Sequence, residues 1–167
     1  MAIGSRVRIK QLVWLRPGVH LRELQRLLGS SFSSTRYNVD KLSENGEISR
    51  VDEDGFSRLY PPGLTDGERR ALSALRRGSD SKILLSLLYE KGLSQKRICS
   101  ITRLAKSTVS ERLAFLIRDN LVQSIEDPTT GRMSFSLVDS ALLNRLLHQN
   151  AGIIARATAR FIELWDF

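Results

Sequence analysis

A single cysteine, Cys99, stands among 167 residues, so no disulfide can close within the chain. With no oxidised staple the expected compartment is the cytoplasm, and Cys99 reads as a buried, inert thiol. No charged-then-apolar leader opens the sequence. No run of about 18 apolar residues offers a membrane span. His20 and His148 are the only histidines. Beside one cysteine they make a poor metal set, so neither metal nor cofactor is expected. Asp52-Glu53-Asp54-Gly55 has the acidity of a calcium loop but lacks the distal glutamate and flanking helices, so it reads as a turn. No glycine-rich phosphate loop or nucleophile elbow occurs, and carboxylates are scattered, so an enzyme is not expected. Acid itself is scarce. Asp and Glu number 18 against 26 Lys and Arg, a net charge of +8, which suits a polyanionic partner.

What is present is a repeat. Residues Gly18 to Ile48 reappear, without a gap, at an offset of 74. Leu24 answers to Ile98, Leu27 to Ile101, Val39 to Leu113, Leu42 to Leu116 and Ile48 to Val122. The period is too long for a solenoid, which implies a duplicated small domain. A hydrophobic content of 41% suffices for globular cores.

Apolar spacing gives the element order in each copy. A first helix is expected over residues 5–15, on Ile9, Leu12 and Val13, ended by Pro17-Gly18. After a short stretch at Val19-His20, a second covers 21–28 with Leu24, Leu27 and Leu28 inward, and Gly29 supplies a left-handed turn. Ser31 caps a third over 32–45. Strands at 48–51 and 56–60 follow, joined by an acidic turn. Pro61-Pro62-Gly63 marks a boundary, and a connecting helix spans 66–76, ended by Gly78-Ser79. The second copy has helices over 81–91, from the Ser94 cap to about 102, and over 106–120, with strands at 122–125 and 133–137. A last helix covers 140–165. Trp14 and Trp165 read as packing residues, and His20, at the position of Ser94, as a cap.

In both copies the third helix keeps apolar residues on one face and leaves the other polar. Arg36, Tyr37, Asn38 and Lys41 are expected outward in the first; Ser107, Thr108, Ser110, Glu111 and Arg112 in the second. An α-helix fits the major groove, Arg and Asn pair with base edges, and small hydroxyls at a helix start admit phosphate. Leu104-Ala105-Lys106-Ser107-Thr108-Val109-Ser110-Glu111-Arg112-Leu113 resembles the recognition helix of winged helix-turn-helix regulators of the MarR and ArsR type. Ser33-Ser34-Thr35-Arg36-Tyr37-Asn38-Val39 resembles its archaeal form. The whole chain is similar to archaeal regulators with two such domains in tandem, over about residues 5–138. Two departures stand out: Arg103 replaces a turn glycine and Ala105 a capping serine.

The resemblance implies a mainly α fold with small β-hairpins. It comprises a winged-helix domain over 1–62, a linker helix over 63–78, a second winged-helix domain over 79–138 and a long C-terminal helix over 139–167. It implies sequence-specific binding of double-stranded DNA and transcription regulation. The expected DNA-facing residues are Ser33, Ser34, Arg36, Tyr37, Asn38, Lys41 and Arg58, then Lys106, Ser107, Thr108, Ser110, Glu111, Arg112 and Arg132. The first wing tip is acidic and would repel phosphate, so the second domain is expected to supply more of the affinity. Leu143, Leu147, Asn150, Ile154, Ala157, Phe161 and Leu164 are spaced as a coiled-coil seam, which suggests a homodimer. The alternative is a tandem winged-helix scaffold in a larger assembly.

Overall fold

Ile9 and Val13 lie one turn apart and are both buried, which sets the inward face of α1 (Ser5–Leu15). The helix ends before Pro17, which disfavours helical backbone at Arg16. Trp14 is exposed rather than packed. The computed structural model describes residues 4–53 and 55–150. In it β1 (Val19–His20) leads into α2 (Leu21–Leu28), whose buried stripe is Leu21 and Leu24, with Leu28 half-buried. Leu27 lies beside that stripe and is 37% exposed, against expectation. Gly29 takes the left-handed conformation, φ 63°. The Ser31 hydroxyl then accepts from the Ser34 amide and caps α3 (Phe32–Glu44).

β2 (Ser49–Glu53) and β3 (Phe56–Tyr60) form the expected hairpin. β1 adds to it, giving the order β1-β3-β2 with Val19 opposite Leu59. Ile9, Val13, Val19, Leu24, Val39, Leu42, Ile48 and Leu59 make the core of this half.

The chain divides into two compact units, residues 1–69 and 70–167. The division falls inside α4 (Asp66–Arg76). Thr65 and Glu68 open this helix with a reciprocal capping box, each side chain accepting from the other's backbone amide. Ala71, Leu72, Ala74 and Leu75 of α4 are buried. Gly78 does not end a helix; it begins α5 (Gly78–Tyr89), because the break is the single extended residue Arg77, φ −82°, ψ 125°.

The second unit continues with α6 (Gln95–Thr102), capped by Ser94, and α7 (Lys106–Arg118). β4 (Val122–Glu126) pairs with β5 (Met133–Leu137). Leu93 bridges to Phe135 as Val19 does to Leu59. The offset of 74 carries the core with it: Ile83, Leu87, Leu93, Ile98, Leu113, Leu116 and Val122 are all buried.

Asp139 caps α8 (Ser140–Gln149). Asn150 closes this helix, φ −125°, its side-chain amide donating to the Leu146 carbonyl. The expected continuation to residue 165 lies outside the described residues. Leu143 and Leu147 are 4% and 8% exposed within the single chain. Both are thus buried without a second copy, and Asn150, of the same expected seam, is the C-cap of α8. Ile154, Ala157, Phe161 and Leu164 lie outside the described residues. No helix among the described residues is long and apolar enough to cross a membrane.

Candidate nucleic-acid interface

Each unit holds its third helix between a preceding helix and a hairpin. In the first, Thr35, Val39 and Leu42 of α3 are buried, which turns Ser33, Ser34, Arg36 and Tyr37 to solvent. Asn38 is half-buried. It accepts from Arg6 Nε of α1 at 3.2 Å and donates to the Ser34 carbonyl. The cations around α3 are largely engaged. Lys41 Nζ meets Glu44 at 2.8 Å, and that hydrogen bond raises its pKa above the usual lysine value. Arg36 approaches Asp40 at 3.9 Å, and Arg50 of β2 reaches the same carboxylate at 2.9 Å. Arg50 also donates to Ser57, whose hydroxyl donates to Asp52. Helix and hairpin are thus tied through one acid, Asp40.

Arg58, expected to face DNA, is 5% exposed. It sits on the central strand β3, donates to the Gly18 carbonyl and pairs with Glu53 at 3.4 Å. Burial on both flanks of β3 withdraws it from any phosphate.

In the second unit Val109, Leu113 and Leu116 face inward. Lys106, Ser107, Ser110 and Glu111 are exposed and Thr108 is half-buried. Gln95 donates to the Lys106 carbonyl, tying the start of α6 to the start of α7. Arg112 does not turn outward as expected. It makes two hydrogen bonds, 2.5 and 2.8 Å, to Asp80 of α5, which is fully buried. Arg77 reaches Asp80 at 3.6 Å. The guanidinium carbons of Arg77, Arg112 and Arg118 lie 4.8, 4.5 and 4.4 Å from the centre of the Phe115 ring. A carboxylate with no access to water requires such a partner, so Arg112 fixes the position of α7 from within.

The cations left at the surface are different ones. Arg103, in the turn before α7, and Lys96, Lys106 and Arg132 are exposed. None has an acidic partner among the described residues. Arg103 adopts φ 55°, the left-handed conformation of Gly29 at the corresponding position. Arg132 lies in the β4–β5 turn. There Asp127 accepts from the Thr129 and Thr130 amides, and those bonds lower its pKa.

Neither Asp80 nor Arg103 is among the residues expected from sequence to face DNA. A signal for Asp80 existed: Arg6 and Asp80 stand at one repeat position, Asn38 and Arg112 at another. Both copies therefore bridge the first helix to the third with a polar pair. Among the described residues, no group of three or more metal-ligating side chains occurs.

Residues 4–72 match a family model described as an N-terminal HTH domain, and residues 76–123 match one described as winged helix-turn-helix DNA-binding. No curated protein matches the sequence. Among solved structures, the chain is similar to the PcaV transcriptional regulator from Streptomyces coelicolor in complex with its natural ligand. Identity is 22%, over 79% of this chain and 77% of that one, with a TM-score of 0.40. It is also similar to ScpB from Mycobacterium tuberculosis, at 17% identity over 87% and 98% of the two chains, TM-score 0.32. A third is the DIP2311 protein from Corynebacterium diphtheriae, at 13% identity over 80% and 26%, TM-score 0.31. The chain therefore carries two helix-turn-helix domains in tandem, the second of the winged helix-turn-helix DNA-binding kind.

Proposed function

We propose that this chain regulates transcription by binding double-stranded DNA, with α7 in a major groove and the β4–β5 hairpin on the adjoining backbone. The observation that carries this reading is the set of uncompensated cations, Arg103, Lys106 and Arg132, at the start of α7 and on its hairpin. Ser107 and Ser110 present hydroxyls on the same exposed helix start, where a helix N-terminus also favours phosphate. Ser110 and Glu111 are the base readers on α7, and Glu111 can accept from a cytosine amino group. Arg36 and Tyr37 of α3 reach a second, weaker contact region, with Ser33 and Ser34 at its phosphate edge. Asn38 and Arg112 position the two helices rather than read bases.

Two copies acting together would match a palindromic site. The apolar spacing of Ile154, Ala157, Phe161 and Leu164 in the sequence supports such pairing. Solution mass that stays monomeric across a wide concentration range would remove it.

The function is tested by selecting bound fragments from random duplexes and titrating the chosen sequence against salt. About six to ten phosphate contacts would lower affinity by roughly 10³–10⁵ between 50 and 200 mM salt. A complex indifferent to salt, or a purified chain that retains a protein partner and no duplex, overturns the reading.

A further inference from the structure

Exposed aromatic rings are unevenly divided between the two helix-turn-helix domains. In the first, Phe32 at the start of α3 is 39% exposed; Tyr37, farther along that helix, and Phe56, at the start of β3, are each 57% exposed. Among the described residues, α7, β4 and β5 of the second domain carry no exposed ring. Cations accompany the rings of the first. Phe32 and Arg36 are four residues apart, so ring and cation stand one above the other on α3. Tyr37 follows Arg36 on the outward side. Arg22 and Arg26 are likewise one turn apart on α2 and line one groove with Phe32, Arg36 and Phe56. Both are exposed and have no acidic partner among the described residues. Arg22 lies 5.7 Å from the centre of the Phe32 ring. Glu23, an acid of the same groove, is engaged by Arg16 at 3.6 Å.

Duplex DNA accounts for the arginines but not for the rings. It offers phosphates and base edges, while its base faces are stacked on one another. A single strand offers the same phosphates together with open base faces. A base laid flat on an aromatic side chain commonly contributes about 5- to 150-fold in affinity. Each unit of such a strand brings one charge and one flat ring, which suits rings and cations interleaved over a helix and a hairpin. We propose that the first domain binds single-stranded nucleic acid, with bases stacked on Phe32, Tyr37 and Phe56 and phosphates held by Arg22, Arg26 and Arg36. This activity is separate from duplex recognition by α7 and does not rest on it, since Arg103, Lys106 and Arg132 take no part. Sequence preference should be slight, because every base presents a flat face.

The test is fluorescence anisotropy of the full chain with labelled strands of about twelve nucleotides, one of DNA and one of RNA in the same sequence. A strand of equal length built from abasic units supplies the phosphates without the rings. An acidic peptide bearing phenylalanines supplies charge and rings on a protein backbone. The DNA or the RNA strand should bind at least about tenfold more tightly than both controls. Tyr37→Ala and Phe56→Ala, each at an exposed position, should each weaken that strand about tenfold with circular dichroism unchanged. Arg26→Gln should weaken it and flatten its salt dependence by about one phosphate contact. Arg8→Gln, on α1 outside the groove, should leave it as it was. The proposal is overturned if the abasic strand binds as tightly, if both ring variants bind like the parent chain, or if the peptide binds more tightly than both strands. A chain that retains the strand but no duplex keeps this proposal and sinks the duplex reading; the reverse result does the opposite.

Discussion

The two domains repeat one pattern of core residues and differ in where they place their charge. Residues 1–69 hold 11 Lys and Arg against 9 Asp and Glu; residues 70–167 hold 15 against 9. In the first, Asp40, Glu44, Glu47 and Asp52 meet Arg36, Lys41, Lys10 and Arg50 near the surface. In the second, the acid that matters most, Asp80, is buried and takes up Arg112, while Arg103, Lys106 and Arg132 stay open to solvent. One scaffold thus pairs the cations of α3 with neighbouring acids and leaves those at the start of α7 and on its hairpin without one among the described residues. Burial sets the scaffold; charge placement decides what each copy can hold.

The sharpest way to break this comparison is the polar bridge each domain builds from its first helix to its third. In the first domain it is one exposed hydrogen bond from Arg6 to Asn38. In the second it is a two-bonded ion pair with the acid fully buried. Removing one member of a buried pair leaves the other uncompensated, at roughly 3–5 kcal/mol. Arg112 keeps some contact with water, its side chain 21% exposed, so Asp80→Ala should cost about 2–3 kcal/mol. Arg6→Ala should cost less than about 1 kcal/mol. Hydrogen exchange resolved to peptides of α5 and α7, and of α1 and α3, reads each domain separately. Equal losses of protection would mean that the two bridges do the same structural task.

The second comparison concerns DNA. The double variant Lys106→Gln/Arg132→Gln should weaken duplex binding by about ten- to a hundredfold and flatten the salt slope by about two phosphate contacts. Arg36→Gln/Lys41→Gln should weaken it by less than about threefold, because Lys41 is held by Glu44 and Arg36 lies near Asp40. Fluorescence anisotropy across a salt series measures both. Equal or larger loss from the first-domain pair would reverse the assignment of affinity.

The fold was legible because duplication prints its core twice. Val39 with Leu113 and Leu42 with Leu116 are apolar in sequence and buried in structure. Helix ends were legible where a residue's own chemistry decides them, as at Ser31, Gly29 and Ser94. The interface was less so. Periodicity separates inward from outward faces, but Arg112 lies at the border between them, and its direction depends on an acid 32 residues earlier. Arg58 alternates correctly for a two-stranded hairpin. It becomes buried only because β1 joins the sheet, a long-range pairing that two residues of strand barely signal. Gly78 misled because a glycine that often closes a helix here follows the break.

The smallest expected effect separates stability from binding at one residue. Glycines at two turns of the first domain, Gly29 and Gly46, take φ 63° and 70°. The corresponding positions of the second are Arg103 and Asn120, at φ 55° and 57°. Left-handed backbone strains a side chain such as arginine by about 1–2 kcal/mol, whereas asparagine tolerates it. Glycine also gains freedom in the unfolded chain, which offsets about half of the relief. Arg103→Gly should therefore stabilise the second domain by about 0.5–1 kcal/mol, and Asn120→Gly should change it by less. If Arg103 meets phosphate, the same variant should bind duplex several-fold more weakly while its α6 and α7 amides exchange more slowly. A variant that gains stability and keeps its affinity would take Arg103 out of the interface, leaving Lys106 and Arg132 to carry the cationic edge of α7.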